Sequence, residues 1–312
     1  MMNWYFASQM WSRIIPCFLL FITGLSYTAQ AQLHVYPDTL CKDRLKWVGG
    51  TVAAGYTISM VGLYQLWYSG YDQTQFHFFN DNDEWLQMDK LGHAQTAYFT
   101  GELGYEAFRW TGLNDRKAIW LGASTGWVFL STIEVFDGFS SKWGFSWGDM
   151  AANTFGSALF ISQQIGWNEQ RIRMKFSYSP TDYAQYREDA LGATWNERIL
   201  KDYNGQTYWL SANLKSFTHW DKLPPWLCVS IGYGGKGMLG GKENPDEWEG
   251  VTLPQYDRVR EYYLSLDVDL RKIKTSSHFL KAAFTALGFI KIPAPTISVD
   301  GKGVWRAYPV YF

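Results

Sequence analysis

Apolar residues recur with the period of an α-helix in the first half of the chain and with a period of two in the second half. Between Leu45 and Trp167, long uncharged stretches alternate with short polar connections, which indicates about four helices packed as a bundle. After Gln170, apolar and polar residues alternate as they do in antiparallel strands. The sequence therefore predicts an α+β protein, with a helical bundle over residues 42–168 and an antiparallel β-rich region over residues 169–312.

Local signals mark the ends of the helices. The second helix is predicted from about Asp89 to Trp110, and the third from near Arg116 to the pair Asp137-Gly138. The fourth follows Ser146, because Ser146-Trp147-Gly148-Asp149 matches the signature of a helix N-terminal cap. The connections between these three helices are short, so the helices are expected to lie antiparallel to one another.

Several strands are predicted from the alternation. They cover residues 171–178, 208–215, 227–233, 262–271, 296–299 and 304–312. A turn over residues 300–303 joins the last two strands, and residues 278–287 interrupt the alternation with a helical pattern. The connection over residues 179–204 is expected to be partly helical, and that over residues 234–258 to be a long surface loop. These strands could form an open sheet packed on the bundle or a barrel-like sheet.

The N-terminal residues have the organisation of a secretory signal peptide. Arg13 precedes a short apolar run over residues 14–22, and Ala29-Gln30-Ala31 provides a cleavage site. The run is shorter than the ~20 residues that a membrane-spanning helix needs. Residues 1–31 are therefore predicted to be a signal peptide. The protein is expected to be exported to the periplasm or the outer membrane of a Gram-negative bacterium.

Composition favours an envelope protein and argues against other classes. Aromatic residues make up 18% of the 312 residues, and aromatic side chains concentrate at membrane–water interfaces. The 28 Lys and Arg residues nearly balance the 29 Asp and Glu residues, so the basic excess of nucleic-acid-binding proteins is missing. Gly234-Gly235-Lys236-Gly237 lacks the spacing of a phosphate-binding loop, which argues against a nucleotide ligand. A membrane or another envelope component is the expected partner, and the sequence identifies no protein partner.

Two cysteines would remain after cleavage of the signal peptide. Cleavage would remove Cys17 and leave Cys41 and Cys228. Disulfides persist in oxidising compartments such as the periplasm, so these two residues could form a disulfide. They are far apart in the sequence, which leaves their pairing open.

Three polar signatures interrupt the otherwise apolar helical half. They are Asp89-Lys90-x-x-His93 at the start of the second helix, Glu134-x-x-Asp137 at the end of the third, and Asp149-x-x-x-Asn153 at the start of the fourth. In an antiparallel bundle these three places lie at the same end, so their side chains are expected to converge. The predicted binding residues are Asp89, Lys90, His93, Glu134, Asp137, Asp149 and Asn153, with Lys142 in the adjacent loop.

Three kinds of cluster would explain these residues. One is a network of caps and ion pairs that locks the helix ends without chemistry. Another is a divalent-cation site, because carboxylate and amide oxygens suit Mg²⁺ or Ca²⁺, and a histidine beside carboxylates suits a transition metal. The third is an acid–base hydrolase in which His93 is the base and Glu134 or Asp137 orients it. The candidate metal ligands and the candidate catalytic residues are the same four: His93, Glu134, Asp137 and Asp149.

The ordered motifs between Asp89 and Gln164 resemble a known family. The motifs that carry the resemblance are Asp89-Lys90-x-x-His93, Glu134-x-x-Asp137, and Gly144-Phe145-Ser146-Trp147-x-Asp149 followed by Asn153 and Gly156. They are similar to those of the YfiM-like predicted periplasmic lipoproteins, a domain of unknown function, and more loosely to those of VanZ-like membrane proteins. The resemblance implies an envelope location and no defined activity. The chain departs from the family because it lacks a lipoprotein cysteine and adds the β-rich half.

The expected function is that of an exported, non-catalytic envelope protein with a structural or a lipid- or partner-binding role. The first alternative is a metal-assisted or acid–base hydrolase that acts on an envelope lipid or glycan. The second alternative is an outer-membrane β-barrel-type scaffold or transporter. Close packing of the four candidate side chains would favour the hydrolase, and a closed ring of strands would favour the barrel.

Overall fold

A computed structural model describes residues 36–312 apart from residues 38 and 219. The predicted signal peptide, residues 1–31, lies outside the described residues. Four long helices come first and an antiparallel sheet follows, which confirms the predicted α+β class.

The bundle contains four long helices, and the last three lie close to their predicted bounds. The four are α1 (Lys42–Leu63), α2 (Met88–Trp110), α3 (Asp115–Gly138) and α4 (Trp147–Trp167). Side-chain caps explain two of the helix starts, because Asn114 accepts a hydrogen bond from the N–H of Lys117 and Ser146 accepts one from the N–H of Asp149. α2, α3 and α4 pack closely against one another, whereas α1 has fewer contacts with them.

Glycines allow α2 to approach its neighbours closely. A Cβ on Gly122 of α3 would lie 2.4 Å from the backbone nitrogen of Tyr105 in α2. A Cβ on Gly156 of α4 would lie 2.0 Å from the carbonyl oxygen of Ala94 in α2. Neither position has room for a methyl group, so these two glycines set the spacing between the helices.

One helix of the described chain has the length and composition of a membrane span. α3 reaches a mean hydropathy of 1.3 over its most apolar window, and 33% of that window is buried inside the protein. Core helices of soluble proteins have the same properties, so the finding is weak evidence for a span.

In the part of the chain that the structure describes, eight strands follow the bundle. They are β1 (Ile172–Tyr178), β2 (Gln206–Asn213), β3 (Leu227–Lys236), β4 (Glu247–Trp248), β5 (Val251–Thr252), β6 (Val259–Val268), β7 (Ala294–Asp300) and β8 (Trp305–Tyr311). β4 and β5 form a separate hairpin, and the other six form one antiparallel sheet in the order β1-β2-β3-β6-β7-β8. The predicted turn joins β7 to β8, where the N–H of Gly303 donates to the carbonyl oxygen of Asp300.

The described strands form an open sheet, and the barrel-like arrangement is not found among them. β1 and β8 are the two edge strands and do not pair with each other. The segment before β7 covers the free edge of β1: Phe176 donates its N–H to Phe289, and Lys291 donates its N–H to Phe176. The sheet is nevertheless curled, because the hydroxyl of Tyr311 in β8 lies 3.2 Å from that of Thr207 in β2.

The connections contain the remaining α-helices of the described chain. They are α5 (Glu188–Leu191), α6 (Trp195–Lys201), α7 (Leu214–Phe217) and α8 (His278–Ala286). α5 and α6 confirm the partly helical connection before β2, and α8 confirms the helical interruption before β7. α7 was not predicted, because its four residues are too few to show a helical period.

The expectation of a surface loop over residues 234–258 is wrong in part. β3 continues to Lys236, and Met238 and Leu239 are fully buried. Met238 packs in a cluster with Leu86, and Leu239 packs in another with Leu191. The segment is buried because its two apolar side chains fill space between the sheet and the connections that precede β2.

The two cysteines of the described chain do not form a disulfide. Cys41 precedes α1, where its N–H donates to the carbonyl oxygen of Thr111. Cys228 lies within β3 and is buried, with the Nδ2 of Asn213 3.7 Å from its sulfur. Both are free thiols, so the disulfide considered from the sequence is wrong. The two residues are held by contacts in different halves of the fold.

Candidate functional site

Side chains from the three polar signatures meet at one end of the bundle, where α2 and α4 begin and α3 ends. The Nε2 atom of His93 lies 3.8 Å from Glu134 Oε1 and 3.9 Å from both Asp89 Oδ1 and Asp149 Oδ1. The side chains of Glu134 and Asp149 are buried, whereas those of His93 and Asp89 are 16% and 29% exposed. We call these four residues, together with Lys90 and Asp81, the His93 cluster.

Asn153 fixes the orientation of the His93 ring. Its Oδ1 atom lies 3.0 Å from Nδ1, so Nδ1 carries a proton and donates it to the amide oxygen. The Nε2 atom has no hydrogen-bond partner within the described chain, because the surrounding carboxylate oxygens are too far away. Asn153 is fully buried, and its Nδ2 atom also lacks a partner among the described residues.

Lys90 neutralises one side of the cluster. Its Nζ atom lies 2.7 Å from Asp81 Oδ2, 2.7 Å from Asp149 Oδ1 and 3.5 Å from Asp89 Oδ2. Asp81 also accepts a hydrogen bond of 2.6 Å from Ser146 Oγ. Sequence reasoning missed Asp81, which lies in the irregular segment before α2. Asp81 lies shortly before the first predicted signature in the sequence, and this proximity could have identified it as a candidate.

Two residues expected in the cluster lie apart from its centre. Asp137 accepts a hydrogen bond of 2.7 Å from the hydroxyl of Tyr68, and burial raises the pKa of Asp137 to about 6. Lys142 bonds the hydroxyl of Tyr71 and lies 4.4 Å from the centre of its ring. Lys142 was expected in the loop beside the cluster, but aromatic side chains hold its ammonium group away from the carboxylates.

A left-handed turn leads into α2. Trp85, Leu86 and Gln87 have φ angles of 47°, 50° and 65°, a region that costs roughly 1–2 kcal/mol for each residue with a side chain. The β-rich half holds this turn, because the Tyr233 hydroxyl donates to the Leu86 carbonyl oxygen at 2.6 Å and Arg260 donates to Gln87 Oε1 at 2.8 Å. The position of α2 at the cluster thus depends on both halves of the chain.

The β-rich half also contacts the cluster directly. The hydroxyl of Tyr203 donates a hydrogen bond of 2.7 Å to Asp89 Oδ1. Sequence reasoning missed Tyr203 because 114 residues separate it from Asp89 and no local pattern connects them. Asp89 lies inside the first turn of α2, and Gln87 occupies the cap position without a side-chain hydrogen bond.

Burial and mutual repulsion act on the ionisable groups of the cluster. Burial, followed by the charge of Asp149, raises the pKa of Glu134 to about 8. Burial, followed by the charge of Asp89, raises the pKa of Asp149 to about 7. Burial alone would lower the pKa of His93, but the three nearby carboxylates outweigh it, so the pKa is raised. The cluster therefore contains more carboxylates than its own cations balance.

Three side chains have the spacing of ligands to one metal ion. One oxygen each from Asp89 and Asp149 and one ring nitrogen of His93 lie within 4.8 Å of one another. Ligands that bind an ion at about 2.0–2.6 Å lie about 3–4 Å from each other, in agreement with the distances around Nε2. An imidazole with two carboxylates suits a transition-metal dication such as Zn²⁺ or Mn²⁺ better than Ca²⁺ or Mg²⁺, which prefer oxygen ligands alone.

Residues 77–163 match a family model described as predicted periplasmic lipoprotein (DUF2279). The matched segment starts before α2 and ends within α4, and it contains all residues of the His93 cluster. No curated protein and no solved structure matches the chain significantly. The match supports the YfiM-like resemblance and an exported, periplasmic location. It gives no support to the VanZ-like resemblance.

Proposed function

We propose that this protein is an exported envelope protein that binds one transition-metal dication in a non-catalytic, structural role. Asp89, His93 and Asp149 are the proposed ligands. One observation carries the proposal: with Nδ1 of His93 bonded to Asn153, Nε2 faces carboxylate oxygens 3.8–3.9 Å away and has no hydrogen bond.

A bound cation would provide the partner that the Nε2 atom of His93 lacks within the described chain, whereas the facing oxygens of Asp89 and Asp149 are already bonded to Tyr203 and Lys90. In the neutral form of His93, the lone pair of Nε2 faces carboxylate oxygens that are also acceptors, so these carboxylates favour a positive charge at Nε2 and raise the pKa of His93. The oxygens are beyond hydrogen-bond distance, so a shared proton does not bridge them. A dication between these atoms would supply that positive charge in place of a proton and would offset the excess of carboxylates.

The position of the proposed ion explains why its role would be structural. It would connect α2, through Asp89 and His93, to the first turn of α4, through Asp149. Asp89 is also bonded to Tyr203, which belongs to the connection before β2. The ion would therefore tie two helices of the bundle to the β-rich half, and its binding energy would add to the free energy of unfolding.

Calorimetric titration of Zn²⁺ into chelator-treated protein tests this proposal. We expect about one ion for each chain, and an increase of the unfolding temperature on binding. Asn153→Ala should weaken binding by about 10–100-fold, because it frees the His93 ring. His77→Ala is the matched control, since His77 lies at the same end of the bundle but outside the cluster, where it contacts the carbonyl oxygen of Gln75.

Either of two results would contradict the proposal. One is the absence of Zn²⁺ and Mn²⁺ binding by the wild type. The other is equal weakening of binding by Asn153→Ala and His77→Ala. A wild type that binds no ion, together with an Asn153→Ala variant of reduced stability, would identify the cluster as a polar lock.

One observation favours a second function, a metal-assisted hydrolase that acts on an envelope lipid or glycan. Glu134 lies beside the three proposed ligands, and its Oε2 atom accepts a hydrogen bond of 3.2 Å from the N–H of Ser146. A carboxylate in this position can accept a proton from a metal-bound water. Glu134→Gln should then keep the ion and abolish hydrolysis of a nitrophenyl ester or phosphodiester. No hydrolysis by the Zn²⁺-loaded wild type would contradict this second function.

A further inference from the structure

The six-stranded sheet has an inverted distribution of polar and apolar side chains. Its inner face buries Ser230, Glu261, Ser265, Asp267, Thr296 and Ser298. Hydrogen bonds and ion pairs satisfy most of this face, apart from the Ser298 hydroxyl: Lys175 Nζ lies 2.8 Å from Asp267 Oδ2, and Thr296 donates to Ser265 Oγ at 2.8 Å. An antiparallel sheet with one face in water normally buries its apolar side chains instead.

The outer face of β3, β6 and β7 is apolar and exposed. Ile231, Leu264 and Ile297 lie opposite one another across these three strands, with exposed fractions of 59%, 52% and 47%. Tyr262 and Leu266, each 48% exposed, extend the surface along β6. A contiguous exposed apolar surface is typical of an interaction site. We call these five residues the apolar platform.

A cationic segment lies at the strand ends next to the apolar platform. Residues 269–293 connect β6 to β7 and contain α8, and apart from Asp269, which pairs with Arg173, they have no Asp or Glu. α8 exposes 78% of Phe279 and 41% of Leu280. Lys274 and Lys281 line a cleft of about 270 Å³, and in the described part of the chain their ammonium groups have no ion-pair partner. Exposed apolar side chains beside free lysines are typical of segments that lie in a membrane interface.

We propose that the apolar platform and α8 bind the surface of an anionic lipid bilayer. Acyl chains would cover the platform and α8, and headgroup phosphates would lie against Lys274 and Lys281. Charge complementarity favours this occupant, because an anionic bilayer supplies both kinds of contact, whereas a second copy of this chain offers an equally cationic segment. The surface lies outside residues 77–163 and does not depend on the His93 cluster.

Vesicle flotation with the purified chain tests this inference. The two probes are vesicles of phosphatidylcholine alone and vesicles with about one third phosphatidylglycerol. We expect the protein to float with the anionic vesicles and to bind the neutral ones more weakly. Lys274→Gln and Lys281→Gln should each weaken binding about fivefold, and Lys242→Gln, at the opposite end of the molecule, should not.

Variants of the platform test the apolar part of the contact. Leu264→Ser should weaken binding at least about tenfold without lowering the unfolding temperature, because Leu264 is already exposed to solvent. Leu200→Ser is the matched control, since Leu200 is 51% exposed on α6, outside the platform, and this variant should bind as the wild type does.

Three results would overturn the inference. The first is the absence of flotation with either kind of vesicle. The second is equal loss of binding in Leu264→Ser and Leu200→Ser. The third is a stable dimer in analytical ultracentrifugation that Leu264→Ser dissociates, because a second copy would then cover the platform.

Discussion

A buried ion-pair network joins α2 to the sheet, and its removal should destabilise the protein strongly. Glu102 of α2 is 5% exposed and pairs with both Arg173 of β1 and Arg271, which follows β6. Arg173 Nε also lies 3.2 Å from Asp269 Oδ2. In Glu102→Gln, two buried guanidinium groups would lose their shared carboxylate. Arg173 would keep Asp269 and Arg271 would keep Glu106, so the variant loses charge-assisted hydrogen bonds without leaving an unpaired charge, and we expect a cost of about 1.5–3 kcal/mol.

Urea and thermal unfolding at pH 7 measure this loss. A cost of this size should lower the unfolding temperature by roughly 3–12 °C for a chain of this length. Glu169→Gln is the control, because Glu169 pairs with Lys272 and Arg171 at 2.8 Å but its side chain is 30% exposed. Solvent screens such a pair, so the control should lose at most about 1 kcal/mol.

The pH dependence gives a second test of the same network. Burial alone would raise the pKa of Glu102, but Arg173 and Arg271 outweigh it, so the folded protein holds this pKa below its ordinary value of 4.5. The stabilisation is therefore present above about pH 4.5 and is lost as the pH falls through the pKa of the folded state. The difference in the free energy of unfolding between the wild type and Glu102→Gln should therefore become smaller in acid. The reasoning is refuted if the free energy of unfolding of the variant is within about 1 kcal/mol of the wild-type value at pH 7. It is also refuted if the difference between the two free energies widens in acid.

Three further predictions concern packing, protonation and the thiols. Gly156→Ala should destabilise the protein, because its Cβ would meet a backbone carbonyl oxygen of α2 at 2.0 Å. Gly166→Ala on the same helix has open space and should stabilise the protein by up to about 1 kcal/mol. Urea unfolding compares the two variants. Burial lowers the pKa of Lys291 to about 8, from an ordinary value of 10.5. Between these two pH values the unfolded chain binds more protons than the folded protein, so the free energy of unfolding should rise with pH. Urea unfolding at several pH values should show this rise in the wild type relative to Lys291→Met. Without reductant, a thiol reagent should titrate both Cys41 and Cys228 in denaturant, and Cys228 should be unreactive in the native protein because burial raises its thiol pKa.

The sequence predicts the secondary structure well because its signals are local. The end of α3 at Gly138 and the start of α4 after Ser146 follow from a glycine and a cap within a few residues. Alternation predicts the strands, but it does not tell which face points inward. On β3, Ser230 is buried and Ile231 is exposed, opposite to the usual arrangement, and only the packing of the whole sheet shows it.

The site is predicted as far as antiparallel packing of the helices determines it. This packing brings Asp89, His93, Glu134 and Asp149 together, because their positions along the helices are fixed by helix length and connection length. The left-handed turn before α2 is not predictable, since it contains no glycine and depends on contacts with the sheet. Tyr203 was missed for a similar reason, because its contact with Asp89 forms only in the folded chain.

The metal content of the purified protein tests the proposed function most directly. Elemental analysis of the wild type, His77→Ala and His93→Ala would compare two equal changes, one outside the His93 cluster and one at its centre. We predict about one transition-metal dication for each chain in the wild type and in His77→Ala, and none in His93→Ala. A metal-free wild type that takes up no Zn²⁺ or Mn²⁺, or a His93→Ala variant that keeps its metal, would contradict the proposal.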